Sequence, residues 1–488
     1  MRPRYASALS LLASLLALTV AVRADSPALP DTPQGRRIAA MLKAFESGAP
    51  DAVRAFISDN FSESALVELP LEQRVQRLSG IAAQTGPLEL SRVIEGGGSH
   101  PSFLARATKS GDWLEIGLLL EDTPPGKIRS LRFEQTEGPG GPAPEPRKAS
   151  DADAAAAAKA RIRELAASDE FSGVVLLAKD GKPFLLEAVG LADRDFAVPN
   201  RTDTKFNIGS INKIFTQVAV AQLAAEGRLA LTDTIRKHLP DSRVPEADRI
   251  TIQQLLTMTS GMGDFFGEKY AATPKDRIRT LRDFLALFET DPLRFAPGTS
   301  RAYSNAGYVV LGLIVEKASG RDYYDYVRER IFTPAGMKNT DALPQDAVVA
   351  NRAVGYTREK PGEPWRSNVY ALPGRSSSAG GGYSTAEDLL AFDSALRRDA
   401  LLPREWTDWF FGDKSAPAPS AGGAAPPKAA AVSPRRSGGL GFAGGTEGAN
   451  AVVESDLDTG YTLVVLANQD PPAAERLVKT MRQWLGLR

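Results

Sequence analysis

Apolar residues recur along this chain at two spacings, and the switch between them outlines its elements. Ile38, Met41, Leu42 and Phe45 follow the three-and-four spacing of one helix face. Asp31-Thr32-Pro33 supplies a capping side chain and a first-turn proline ahead of them, and Gly48 supplies a stop. The same spacing predicts a second helix around Val53, Phe56 and Ile57 and a third around Val75, Leu78 and Ile81. The pattern then changes to strand-like runs over Leu88 to Ile94, Ser102 to Ala107, Asp112 to Glu121 and Ile128 to Gln135. In the third run Leu114, Ile116, Leu118 and Leu120 alternate with their neighbours as one face of a sheet does. Helices followed by a meander predict a small α+β domain over residues 31–136.

Residues 137–155 read as a linker, because Gly138-Pro139-Gly140-Gly141-Pro142-Ala143-Pro144 can form neither a helix nor a central strand. The alanine-rich run from Asp151 begins a long helix of the second domain, residues 156–488. Phe171 to Ala178 and Pro183 to Val189 flank Lys179-Asp180-Gly181-Lys182, a hairpin pattern with a tight turn. Residues 415–434 are rich in Ala, Pro, Gly and Ser and read as a low-complexity surface insertion. From Ser437 to Asn468 strand patterning resumes, which predicts a return to the sheet of the first hairpin.

Candidate chemistry centres on Ser210-Ile211-Asn212-Lys213, placed just before an apolar helix pattern of Ile214, Phe215, Val218 and Leu223. Residues i and i+3 share a helix face, so this spacing brings the Lys213 amine to the Ser210 hydroxyl. A serine hydroxyl needs an adjacent base, and burial favours the neutral amine that can act as one. A helix start at Ser210 also lends positive potential to developing negative charge. The pair alone is common on surface helices, but Tyr303-Ser304-Asn305 adds a second polar constellation downstream.

Ser-x-x-Lys followed by Tyr-x-Asn resembles the serine β-lactamase and penicillin-binding protein superfamily, in its class C, esterase-like branch. The run from Ile250 to Gly261 resembles the family's "ITIxxLLTHTSG", with Met258 in place of the usual histidine. Ala379 to Leu389 resembles "AGGGxxSTxxDL", and Gly460 to Asn468 resembles the C-terminal strand. The resemblance covers about the last two-thirds of the chain, in family order. It implies a mainly antiparallel sheet flanked by helices, with a helical lobe inserted between roughly Leu191 and Ala386. Residues 31–136 resemble an NTF2-like (cystatin-like) domain in pattern and length. They offer no clustered acid–base residues, which favours a structural or substrate-gating role.

By the resemblance, Ser210 is the acylated nucleophile, Lys213 and Tyr303 together manage its proton, and Asn305 bonds Lys213 and a substrate carbonyl. The sequence does not divide the base's role between Lys213 and Tyr303. The fold's oxyanion hole would use the N–H of Ser210 and one from an edge strand. Counting back from Leu466-Ala467-Asn468 puts the strand's Lys/His-x-Gly motif at Phe442-Ala443-Gly444, with Gly445 supplying the second N–H. Gly444 fits close backbone approach. Phe442 departs from the motif and removes its partner for a substrate carboxylate. Arg436-Ser437-Gly438 is the alternative register, and it breaks the spacing to the last strand.

Composition narrows the remaining choices. The chain has 488 residues with 59 basic and 59 acidic side chains, so nothing marks it for nucleic acid or an anionic membrane. With no cysteine, disulfides, thiolate metal sites and a cysteine nucleophile are excluded. Its two histidines, His100 and His238, read as surface residues, which argues against a Ser-His-Asp triad or a histidine metal site. No metal or cofactor is expected. Arg2 and Arg4, the apolar run from Leu9 to Val20 and Val22-Arg23-Ala24 read as a cleavable export signal over residues 1–24. The uncharged stretch from Tyr5 to Val22 leaves an uncleaved membrane anchor as the alternative. Its many Ala, Ser and Thr residues and the cleavage site favour removal, which implies a periplasmic or secreted protein with no membrane span after cleavage. The sequence thus predicts an exported serine hydrolase acting on an ester, an amide or a D-amino-acid peptide. A binding or sensor protein on the same fold is the competing class, favoured by Phe442 and Met258, and a true β-lactamase ranks behind both. The partner is a small-molecule or peptide substrate; oligomeric state is open.

Overall fold

The structure is a computed structural model that describes residues 29, 31–94, 101–109, 111–121, 126–136, 150–358, 363–419 and 438–487. The chain divides into two compact units, Met1–Pro144 and Glu145–Arg488. The export signal, most of the linker, His100, Arg436-Ser437 and most of the low-complexity insertion lie outside the described residues.

In the first unit Thr32 caps helix Pro33–Ser47 by accepting from Gly35 N at 3.1 Å, and Gly48 ends it at φ 60°. Helices Pro50–Asn60 and Leu71–Thr85 follow, with a short helix Glu63–Glu68 between them that the apolar pattern did not signal. Strands Leu88–Ile94, Ser102–Ala107, Trp113–Leu120 and Ile128–Thr136 then form an antiparallel meander in chain order. Leu114, Ile116, Leu118 and Leu120 are buried on one face, where Phe103, Ile116 and Ile128 join Ile38, Met41, Val53 and Ile57 in one core.

The second unit is built on a five-stranded antiparallel sheet. Its order is Gly441–Thr446, Ala449–Ser455, Tyr461–Ala467, Gly173–Lys179, Lys182–Val189. The last three strands of the chain therefore extend the first hairpin, as the patterning predicted. Asp180 and Gly181 take φ of 50° and 74°, which suits the tight turn that closes that hairpin. Alternation then divides the strands between two cores. Val175, Leu177, Leu463 and Val465 pack on helices Asp151–Ala167 and Ala473–Leu485. Val174, Leu176, Val464 and Leu466 face the inserted helical region, around helices Asn212–Ala225, Asn305–Ser319 and Ala386–Arg397. Phe215 sits edge-on to Phe332 and Phe392, with ring centroids at 4.9 and 5.0 Å, and anchors the Asn212–Ala225 helix. Truncating such a buried ring costs on the order of 3–5 kcal/mol.

Two expectations need correction. The stretch assigned to the linker includes residues 151–155, but these are helical, because Ser150 caps the helix from Asp151 by accepting from Asp153 N at 3.1 Å. His238 is buried rather than at the surface. Its Nε2 lies 2.9 Å from Asp233 Oδ2, which gives the ring a polar partner inside the fold. Among the described residues no helix is long and apolar enough to cross a membrane.

Candidate active site

Ser210 is presented by a tight turn. Asn207 Oδ1 accepts from Gly209 N at 2.9 Å, Gly209 adopts φ 50°, and a single 3₁₀ turn Gly209–Ile211 runs into helix Asn212–Ala225. Ser210 thus stands just ahead of the α-helix, not within its first turn, and its backbone still lies at the positive end of the helix dipole. Lys213, three residues on, directs Nζ to Ser210 Oγ at 3.2 Å, as the spacing requires.

Tyr303 and Asn305 come from the chain entering the next long helix. Ser304 caps helix Asn305–Ser319 by accepting from Gly307 N at 2.9 Å, which fixes the residues on either side of it. Tyr303 Oη lies 2.5 Å from Ser210 Oγ and 2.6 Å from Lys213 Nζ, and Lys213 Nζ donates to Asn305 Oδ1 at 2.7 Å. Lys213 Nζ also donates to the Ala379 carbonyl. Ser210, Lys213, Tyr303 and Asn305 are therefore brought together. Asn305 was also expected to donate to a substrate, but one of its two N–H groups has another partner, since Nδ2 donates to Asp264 Oδ2 at 2.8 Å.

Proton counting shows what this arrangement can do. Asn305 Oδ1 and the Ala379 carbonyl can only accept, so Lys213 spends two hydrogens on them in either charge state. A neutral amine then has one lone pair left, toward Tyr303 Oη and Ser210 Oγ. A serine proton can pass to the phenol oxygen while the phenol proton passes to the amine. Electrostatics favour an amine that can exchange a proton near neutrality. Lys213 is 2% exposed, and that burial pulls its pKa down to about 7, against an opposing pull from Asp264. Tyr303 is pushed above the usual phenol range, chiefly by partial desolvation; its bond to Ser210 acts the other way and the Asp264 charge adds to the rise.

The edge strand Gly441–Thr446 closes the other side. A side chain on Gly444 would come within 2.1 Å of Ile208 O and 2.6 Å of Ser210 N, and one on Gly209 within 2.7 Å of Gly445 N. Only glycines allow strand and turn this close. Thr446 pairs with Ala449 across a two-residue turn, so ladder alternation puts Gly444 and Phe442 in hydrogen-bonded pairs with Ala451 and Val453. The N–H of Gly445 is left on the open edge, beside the serine turn. Phe442 is half-buried, shares the sheet face of Gly444 and Val453, and packs against the helical core.

Sequence reasoning missed two contributors. Asp264 has no motif of its own and meets Asn305 only through tertiary folding. The Ala379 carbonyl acts through backbone, so its residue type carries no signal. The Ala379 to Leu389 run did mark the right segment. Its neighbourhood clamps the serine helix, with Asn212 Nδ2 donating to Ser377 O at 2.7 Å and Thr216 Oγ1 to Ser378 O at 2.7 Å.

This sheet with helices on both faces and this serine, lysine and tyrosine constellation define a penicillin-binding type of fold with a serine centre. A family model described as Beta-lactamase matches residues 158–488, and the chain belongs to that family. It is 29% identical over 257 residues to penicillin-binding protein 4* of Bacillus subtilis (strain 168), covering 49% of this chain and 55% of that protein. The chain thus spans about half the length of that curated relative. A penicillin-binding protein structure from Bacillus halodurans aligns with TM-score 0.57 and 30% identity, over 66% of this chain and 98% of the other. A D-amino acid amidase from Ochrobactrum anthropi SV3 has TM-score 0.55 and 24% identity, over 68% and 97%, a likeness of fold. Family membership supports a serine hydrolase type of function.

Proposed function

We propose that this chain is an exported serine hydrolase that forms an acyl-enzyme at Ser210 with an ester, an amide or a D-amino-acid peptide and releases it to water. The observation that carries this reading is the closed contact among Ser210 Oγ, Tyr303 Oη and Lys213 Nζ, at 2.5, 2.6 and 3.2 Å. Ser210 Oγ attacks the substrate carbonyl carbon as its proton moves to Tyr303, whose own proton is taken by neutral Lys213. The resulting oxyanion receives the N–H groups of Ser210 and Gly445, an arrangement worth on the order of 10²–10³ in rate per donor. The proton returns to the leaving alkoxide or amine as the tetrahedral intermediate collapses. Water then attacks the acyl-enzyme with the same pair as base, and Ser210 is regenerated. Asn305 keeps Lys213 aimed.

Phe442 shapes the substrate class. It cannot donate to a carboxylate, and leaving one unpaired beside an apolar ring is unfavourable, so neutral acyl groups are favoured over penicillin-like anions. The amidase of the same fold is in keeping with acyl substrates that carry no β-lactam ring. Intact-mass measurement after a fluorophosphonate probe tests the proposal: wild type gains one adduct and Ser210→Ala gains none. An unlabelled wild type would instead favour a binding or sensor role.

A further inference from the structure

The loop carrying Asp264 is tied to the start of the Asn305–Ser319 helix at two points. Ser304 Oγ donates to Gly263 O at 2.8 Å, and Asn305 Nδ2 donates to Asp264 Oδ2 at 2.8 Å. The other carboxylate oxygen of Asp264 accepts from Phe266 N at 3.2 Å. Both oxygens are thus committed, and the carboxylate cannot rotate without losing a bond.

This settles the orientation of Asn305. The two ends of an amide have nearly the same shape but opposite hydrogen-bonding roles. An ionised carboxylate only accepts, so the NH₂ end must face Asp264 and Oδ1 must face Lys213. The flipped amide would set oxygen against carboxylate and NH₂ against the lysine hydrogens, two repulsive contacts. With Oδ1 held in place, one Lys213 hydrogen is fixed there, a second is fixed on the Ala379 carbonyl, and what remains faces Tyr303.

We propose that Asp264 is a positioning residue for the serine centre: its carboxylate locks the Asn305 amide so that Lys213 presents its free position to Tyr303, and it sets a negative charge one residue away from the lysine amine. The proposal rests on the serine hydrolase reading of this site. Other ionisable groups surround the pair. Tyr303 contacts Lys213 directly, and the Tyr308 ring lies 5.5 Å from Lys213 Nζ. On the loop side the Arg294 guanidinium lies against Gly263, and Arg301 holds the Thr257 carbonyl. The Asp264 carboxylate is the negative group tied to Asn305, and it favours the charged amine.

Two substitutions separate its two tasks in the full-length protein, read by the fluorophosphonate labelling rate across pH with melting temperature as a fold control. Asp264→Asn keeps an acceptor for Asn305 but removes the charge, so its rate should approach the wild-type plateau with the rising limb moved to lower pH. Asp264→Ala frees the amide, and its plateau rate should fall on the order of 10–100-fold in a protein that still melts cooperatively, at a somewhat lower temperature because two hydrogen bonds are lost. A wild-type limb in Asp264→Asn, or a wild-type plateau in Asp264→Ala, would overturn the proposal. Should Asp264→Ala not fold, the limb of the near-isosteric Asp264→Asn decides alone. Failure of wild type to label at all is a different result; it removes the hydrolase reading and this proposal with it.

Discussion

The hydroxyl of Tyr303 lies 2.5 Å from that of Ser210, which makes the phenol the first stop for the serine proton. Tyr303→Phe removes that stop while keeping the ring. We expect a folded protein whose ester hydrolysis and probe labelling fall by about 10²–10⁴, the usual cost of losing a positioned base. Lys213→Ala should fall in the same range, and Ser210→Ala should lose both signals. Undiminished hydrolysis in Ser210→Ala would place the nucleophile elsewhere.

Activity should also respond to pH through Lys213. The amine exchanges its proton at about 7, and only the neutral form can take the proton relayed from Ser210. Labelling should therefore rise with pH through a limb near 7 and level off above it. The limb reports the coupled lysine–tyrosine pair rather than one group. A rate flat between pH 5.5 and 9 would rule out a lysine-controlled base.

The same group ties stability to pH, with a definite sign. Burial lowers the Lys213 pKa from 10.5 to about 7, so between those values the unfolded chain holds a proton that the folded chain does not. Stability then rises with pH across that window, and the cost of burying the ammonium is fully present below pH 7. At about 1.4 kcal/mol per pKa unit the swing is a few kcal/mol. Melting temperature measured from pH 6 to 10 should climb more for wild type than for Lys213→Met. Parallel curves would refute the linkage.

Close approach at the edge strand gives a steric test. A methyl at Gly444 would meet Ile208 O at 2.1 Å and Ser210 N at 2.6 Å, both backbone atoms with little room to move. Gly444→Ala should push the strand off the serine turn, lower the labelling rate at least as much as losing one oxyanion donor, on the order of 10², and destabilise the fold. Wild-type labelling would mean that this strand does not complete the site.

Charge preference follows from Phe442. Phe442→Lys places a cation on the sheet face that Gly444 and Val453 share, and should raise kcat/KM for substrates bearing a carboxylate relative to neutral ones. A charge-assisted bond of about 1.5–3 kcal/mol corresponds to roughly ten- to a hundred-fold. An unchanged ratio would show that residue 442 does not reach the substrate.

The parts legible from sequence are those whose partners lie close along the chain or whose pattern is periodic. Ser210 and Lys213 meet because helical geometry puts i and i+3 together, and the 114–120 alternation gave its buried face directly. Tyr303 and Asn305 lie 90 and 92 residues from Lys213, and only motif order made them visible. Asp264 could not be seen, since an aspartate in a loop reads as a turn former until its Asn305 partner is known. His238 was misjudged for a related reason: a turn expected next to it, at Leu239-Pro240, suggested solvent, yet Asp233 shares a buried bond with its ring. Short helix Glu63–Glu68 is too brief for a period to emerge.

The contact between Gly209 and Gly445 also dictates when the molecule can become reactive during its own synthesis. The serine turn leaves the ribosome more than two hundred residues before the strand that faces it, and the central strand Tyr461–Ala467, which joins that edge to Gly173–Lys179, comes later still. A nascent chain therefore lacks the second N–H, and the late-strand residues Val453, Val464 and Leu466 that pack in the same core as the serine helix, until its last strands are made. Translation order alone would keep the nucleophile muted until the sheet is zipped shut.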